Sequence, residues 1–139
     1  MFRRILVPTD LTDRTVKALD IASGMGMPDD RRVTLLHVIE TVAGIDFEEL
    51  SSFYGALEKR AWARLNEMAA GASVTRGAVD VEIVYGRRAE ETLRFVRANQ
   101  IDLIVLASHP IDPSQPYSGL GTMSYKLAIL APCAVLLVK

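Results

Sequence analysis

Ile5-Leu6-Val7-Pro8-Thr9-Asp10 is the stretch on which the fold turns. Three apolar residues in a row, two of them β-branched, read as a strand buried on both faces, and Pro8 with Asp10 closes it in a turn. A strand of that kind belongs to a parallel sheet covered by helices. A helix is expected next. Thr12 offers a hydroxyl to cap it, Asp13 suits its first turn, and Val16, Leu19, Ala22 and Met25 give it one apolar face. Gly24, Gly26 and Pro28 end it.

The same alternation continues outward. Val33 to Ile39 is nearly continuous in apolar and β-branched residues and reads as a second buried strand, with His37 inside it. Phe47, Leu50, Tyr54, Leu57, Ala61, Leu65 and Met68 recur at three- and four-residue spacing, which predicts a long helix with Gly71 as its C-terminal cap and Trp62 on its flank. Val79 to Tyr85 alternates apolar and polar residues, as a strand at a sheet edge does, and Gly86 breaks it. Ala89, Leu93, Phe95 and Val96 make a further amphipathic helix ending near Asn99. Ile101 to Ala107 is the fourth strand. Ser108 to Leu120, with Pro110, Pro113, Pro116 and Gly119, is a loop long enough to carry function. Gly121-Thr122 opens a last helix through Leu130, Ala131-Pro132 stops it, and Cys133 to Val138 is the final strand. The order β-α-β-α-β-α-β-α-β with short links predicts one α/β domain over residues 1–139. It is a doubly wound, mostly parallel sheet with helices on both faces.

Composition narrows the function classes. The 139 residues suit a single domain. Sixteen Lys and Arg against seventeen Asp and Glu leave a net charge of −1. That argues against the broad basic field of a nucleic-acid or anionic-membrane binder. The pairs Arg3-Arg4, Arg31-Arg32 and Arg87-Arg88 read as solvated charge at element ends. No apolar run approaches the roughly 18 residues of a membrane helix, and the basic start lacks the apolar core of a secretory signal. One cysteine allows no intrachain disulfide; with only two histidines it argues against structural zinc, so no metal site is expected. These features together suggest a cytoplasmic protein.

Open parallel sheets bind ligands at the carboxyl ends of their strands, where the strand order reverses. The candidate groups are therefore Pro8-Thr9-Asp10, Val38 and Ala107-Ser108-His109. Asp10 suits a ribose hydroxyl or an adenine amino group; equally, it suits the turn before the first helix. Gly121-Thr122 at a helix start suits a phosphate, or is an ordinary N-terminal turn. Neither G-x-x-x-x-G-K-[ST] nor G-x-G-x-x-G is present. His37 reads as a packed, hydrogen-bonded histidine, His109 stands without a partner motif, and Cys133 reads as a small hydrophobe. No G-x-S-x-G, H-E-x-x-H or C-x-x-C occurs, so no catalytic residue is named.

The whole chain resembles the universal stress protein family. Four stretches carry the resemblance, in the family's order and spacing: Ile5 to Asp10, Leu35-Leu36-His37-Val38, Asp102 to His109, and Leu130 to Val138. The resemblance implies a five-stranded parallel sheet of order 3-2-1-4-5, usually in a homodimer, in a family where some members bind ATP and others do not. ATP-binding members share a G-x2-G-x9-G-[ST] loop after the fourth strand. Here Ala107 and Pro110 stand at the first two glycines, ten residues separate Pro110 from Gly121, and only Gly121-Thr122 match. Ser108-His109-Pro110 is loosely similar to a branch that replaces part of this loop and keeps the later glycine. Asp10 matches the acidic residue ending the first strand, and Val38 matches the position whose backbone meets adenine.

The implied nucleotide set is Pro8, Thr9, Asp10, Val38, Ala107, Ser108, His109, Pro110, Gly121, Thr122 and Met123, for ATP or another adenine nucleotide. Proline has no N–H to give a phosphate. The grip on distant phosphates is therefore impaired while the base and ribose side is intact. In the implied order the last strand is an apolar edge, which points to a homodimer through Val135 and Leu137. Two functions follow. One is a stress-response-type regulatory protein that binds an adenine nucleotide at the ends of strands one and four. The other is a dimeric structural or interaction protein of the same fold without a nucleotide. ATP hydrolysis is a lesser variant of the first, since no general base or metal carboxylate pair can be named.

Overall fold

The apolar runs become five parallel strands: β1 (Arg4–Pro8), β2 (Arg32–Glu40), β3 (Val79–Gly86), β4 (Leu103–Ala107) and β5 (Ala134–Val138). Between them lie α1 (Arg14–Gly24), α2 (Ser51–Arg76), α3 (Arg88–Ala98) and α4 (Met123–Leu130). The sheet order is β3-β2-β1-β4-β5, as expected. These elements come from a computed structural model, which describes residues 2–25, 31–76, 78–108, 112–115 and 122–139.

Alternation along each strand sends neighbouring side chains to opposite faces. Ile5 and Val7 of β1 join Val33, Leu35, Leu103 and Val105 in one core, which Leu19 of α1 and Leu65 and Met68 of α2 cover. Leu6 enters the opposite core with Leu36, Ile104 and Leu106, beneath Leu93 and Val96 of α3 and Leu127 of α4. Ile5, Leu6 and Val7 are all 0 % exposed, so β1 is the central strand that its unbroken apolar run predicts. At the start of the sheet the Asp102 carboxylate accepts the Arg3 and Arg4 backbone N–H groups at 2.9 and 3.1 Å, tying β1 to the entrance of β4.

Several local expectations change. Thr12 does not cap α1: its backbone N–H and its hydroxyl both turn back to Asp10, and Asp13 takes the cap position without a side-chain capping bond, its carboxylate accepting Arg64 instead. The buried face of α1 is Thr15, Ala18, Leu19 and Ala22, while Val16 is exposed, because the helix starts at Arg14 with Thr15 turned inward toward Thr9. Of the predicted stops, Gly24 closes α1; Gly26 and Pro28 lie outside the described residues. Phe47 and Leu50 belong to a separate 3-10 turn (Phe47–Leu50) before α2, where the Phe47 ring stacks on Tyr54 at 4.9 Å. Gly71 does not end α2. Buried Ala69 and Ala72 on either side continue the packing face past it, and that packing outweighs the roughly 1 kcal/mol by which glycine disfavours a helix interior.

Candidate functional site

β1 and β4 part company at the carboxyl end of the sheet. Their shared register runs through Ile5↔Leu103 and Leu6↔Ile104, whereas β1 continues along β2 to Pro8↔Leu36 and β4 continues along β5 to Ala107↔Val138. The divergence opens a shallow crevice lined by Pro8, Thr9, Asp10, Arg14, Thr15, Arg88, Leu106, Ala107, Met123 and Ser124. It sits where the strand order reverses, the place where open parallel sheets take their ligands.

The loop from β1 to α1 is held rigidly. Thr9 Oγ1 lies 2.7 Å from Thr15 Oγ1 and accepts the Leu11 N–H at 2.9 Å. Leu11 takes a left-handed φ of 70°, a strained value for a side chain of its size, so the reversal is over-determined by its bonds. His37 Nδ1 donates to the Thr9 carbonyl at 2.8 Å, which is the packed role expected for it. Asp10 Oδ1 accepts the Thr12 N–H at 3.0 Å and the Thr12 hydroxyl at 2.6 Å, and Oδ2 accepts Arg14 Nη2 at 3.1 Å. Burial works to raise the Asp10 carboxyl, but the Thr12 bonds and the Arg14 guanidinium outweigh it and hold the group below its ordinary 3.8. Asp10 therefore supports the turn and also lines the crevice as a carboxylate. A carboxylate offers about four acceptor positions, and three are occupied here, which leaves one for a ligand hydroxyl.

Pro8, Thr9, Asp10, Ala107 and Met123 of the expected set come together in the crevice. Ser108 and Thr122 lie at its rim, one residue beyond Ala107 and one before Met123, and are not part of the lining. Thr122 is the α4 cap residue and makes no side-chain cap bond. Val38 is buried in β2, away from the lining. Its backbone is nonetheless placed for a ligand. The Leu36 carbonyl accepts the Thr9 N–H at 2.9 Å, and Val38, two residues on, points its N–H and C=O to the same side after β1 has left the sheet. His109, Pro110 and Gly121 lie outside the described residues. So does most of the proline-bearing loop.

Arg14, Thr15, Arg88, Leu106 and Ser124 were not anticipated. Arg88 corrects the reading of Arg87-Arg88 as a plain solvated pair: β3 runs parallel to β1, so the first residue of α3 arrives at the same end of the sheet. Arg31 departs from that reading too; its Nε donates to the Phe2 carbonyl and its Nη1 is buried. The available signal was positional, since every helix start that follows a strand lies at the ligand end. Cys133 is half-buried. Burial and the Asp102 charge push its thiol above the ordinary value, so it stays protonated at neutral pH. Among the described residues, no group of three His, Cys, Asp or Glu could hold a metal ion, and no helix is long and apolar enough to cross a membrane.

A family profile described as the universal stress protein family matches residues 1–139. The chain belongs to the universal stress protein family. Two relatives each align over 100 % of both chains. A universal stress protein of Thermus aquaticus is 30 % identical over 141 residues, and universal stress protein YxiE of Bacillus subtilis is 28 % identical over 150. Among solved structures, UspA from Lactobacillus plantarum superposes with a TM-score of 0.80 at 22 % identity, covering 99 % of this chain and 98 % of that one. A universal stress protein in complex with cAMP follows at 0.75 and 16 % identity, covering 99 % and 97 %. The Archaeoglobus fulgidus protein in complex with dAMP gives 0.72 at 13 % identity, covering 99 % and 98 %. At these identities the structural likeness speaks for the universal stress protein fold.

Proposed function

We propose that this universal stress protein is a cytoplasmic, stress-response-type regulator that binds an adenine nucleotide in the crevice between β1 and β4. The observation that carries the reading is Asp10, a carboxylate on the crevice wall with one acceptor position left for a ribose hydroxyl. The free backbone side of Val38 suits the adenine edge. The cAMP and dAMP complexes of proteins with this fold support the choice of ligand. Calorimetric titration with AMP tests it, alongside analysis of any nucleotide released on denaturing the purified protein. One site per chain is expected. A protein that releases no adenine nucleotide and gives no heat with AMP would overturn the reading. AMP, ADP and ATP are expected to bind within about tenfold of one another, about 1.4 kcal/mol, because Pro110 in the loop gives no N–H to distant phosphates.

Assembly belongs to the same proposal. The β3 edge carries the exposed charges Asp80 and Glu82, whereas β5 is Ala-Val-Leu-Leu-Val with Leu136 and Leu137 exposed, next to exposed Ile129 and Leu130 at the end of α4. An apolar edge without guarding charge favours pairing with a second copy about a two-fold axis. Leu137 is open to that partner; Val135 is half-buried against the core of its own chain. Sedimentation should give twice the chain mass for the wild type and a single-chain mass for Leu137→Lys. A wild type that sediments as one chain at micromolar concentration refutes the dimer.

A further inference from the structure

Three crevice residues have no role in the contacts proposed so far. Arg14 and Arg88 line it from the starts of α1 and α3, and among the described residues Asp10 is the only carboxylate beside them in the lining. The described part of the wall therefore carries one net positive charge. Ser124, in the first turn of α4, also lines the crevice. The residue is 7 % exposed. A serine hydroxyl donates one hydrogen bond and accepts two, so on the crevice wall it suits a ligand oxygen.

Resting on the nucleotide reading above, we infer that Arg14, Arg88 and Ser124 form a subsite for a single phosphate, the one attached directly to the nucleoside. None of the three belongs to the loop from Ala107 to Thr122, where the chain departs from the pattern of ATP-binding members. Arg88 is free to take up this role. Its contact with Glu40 is 3.7 Å long and both side chains are about half-exposed, and exposed pairs of that kind hold little free energy. A guanidinium meets a phosphate through two parallel charge-assisted bonds, which are shorter and stronger. Arg14 keeps one bond to Asp10 Oδ2 and has donors to spare, so it links the ribose acceptor to the phosphate. Ser124 gives its O–H to a third phosphate oxygen. The subsite has the charge for one phosphate group, so the second and third phosphates of ATP gain nothing from it. This is an independent reason for a flat response to phosphate number.

The test is calorimetric titration of wild type, Arg88→Gln, Arg14→Gln/Arg88→Gln and Ser124→Ala with AMP and with adenosine, each fold checked by its thermal transition. The wild type should bind AMP about tenfold or more tighter than adenosine, the value of one charge-assisted bond. Each variant should narrow that ratio. The double arginine variant should bring it near one, each variant's own adenosine affinity serving as the reference, and Arg88→Gln alone should leave adenosine affinity within about twofold of wild type. A double variant that keeps the wild-type ratio overturns the subsite and leaves the nucleotide reading standing, as does a wild type that binds the two equally. A wild type that binds neither overturns the nucleotide reading and the subsite with it.

Discussion

Asp10→Ala is expected to weaken AMP binding by about 1–3 kcal/mol, roughly 5- to 150-fold, the range for removing a hydrogen bond to a charged group. The change removes the ribose acceptor and leaves Thr12 and Arg14 without the carboxylate that holds them. Titration calorimetry on both proteins reads the effect, and equal affinities would assign Asp10 to the turn alone. The charge has a second signature. The folded-state pKa of Asp10 lies below 3.8, so the carboxylate stabilises the fold above that value and loses its contribution as the pH falls through the folded-state pKa. The melting temperature of Asp10→Asn should therefore lie below that of wild type at neutral pH. The gap should narrow as the pH drops under 3.8. A gap that is the same at neutral and acid pH would show that charge plays no part.

Leu65→Ala carries the largest expected loss of stability. Leu65 is 0 % exposed on the inner face of α2, in the core cluster that also holds Val33 and Leu35 of β2. Removing a buried leucine side chain costs about 2–5 kcal/mol, and more where the surroundings collapse little. Against a typical domain stability of about 5–15 kcal/mol this is a large fraction. Urea unfolding should show an earlier midpoint with an unchanged slope. Leu65 does not line the crevice, so AMP affinity of the folded variant should match wild type. A loss under about 1 kcal/mol would mean that α2 is not clamped on the sheet as described.

The clear features of the sequence were those with a strong period. Unbroken apolar runs at Ile5, Val33 and Leu103 marked strands covered on both faces, and those strands are central. Local polar chemistry was less clear, because it depends on which of several nearby acceptors wins. Thr12 and Asp13 look like a helix start in one dimension. In the fold Asp10 lies closer to the Thr12 N–H, and a two-residue turn forms in place of a cap. Gly71 looked like a stop because glycine usually is one, yet burial of Ala72 rewards continuation.

The site divides along the same line. By itself the chain determined the doubly wound sheet, the crevice end of that sheet and Asp10 within it, because alternating strands and helices with short links leave one end of the strands for a ligand. Only the tertiary structure decided which side chains meet there. Arg14 and Arg88 are far apart in sequence, and each resembles the surface arginines found at any helix end. They share a crevice because parallel strands deliver every following helix start to the same edge, and because β1 and β4 diverge beyond Leu6 and Ile104. Periodicity encodes which face a residue takes; convergence of distant elements on one cavity follows from strand order, and no local pattern records it.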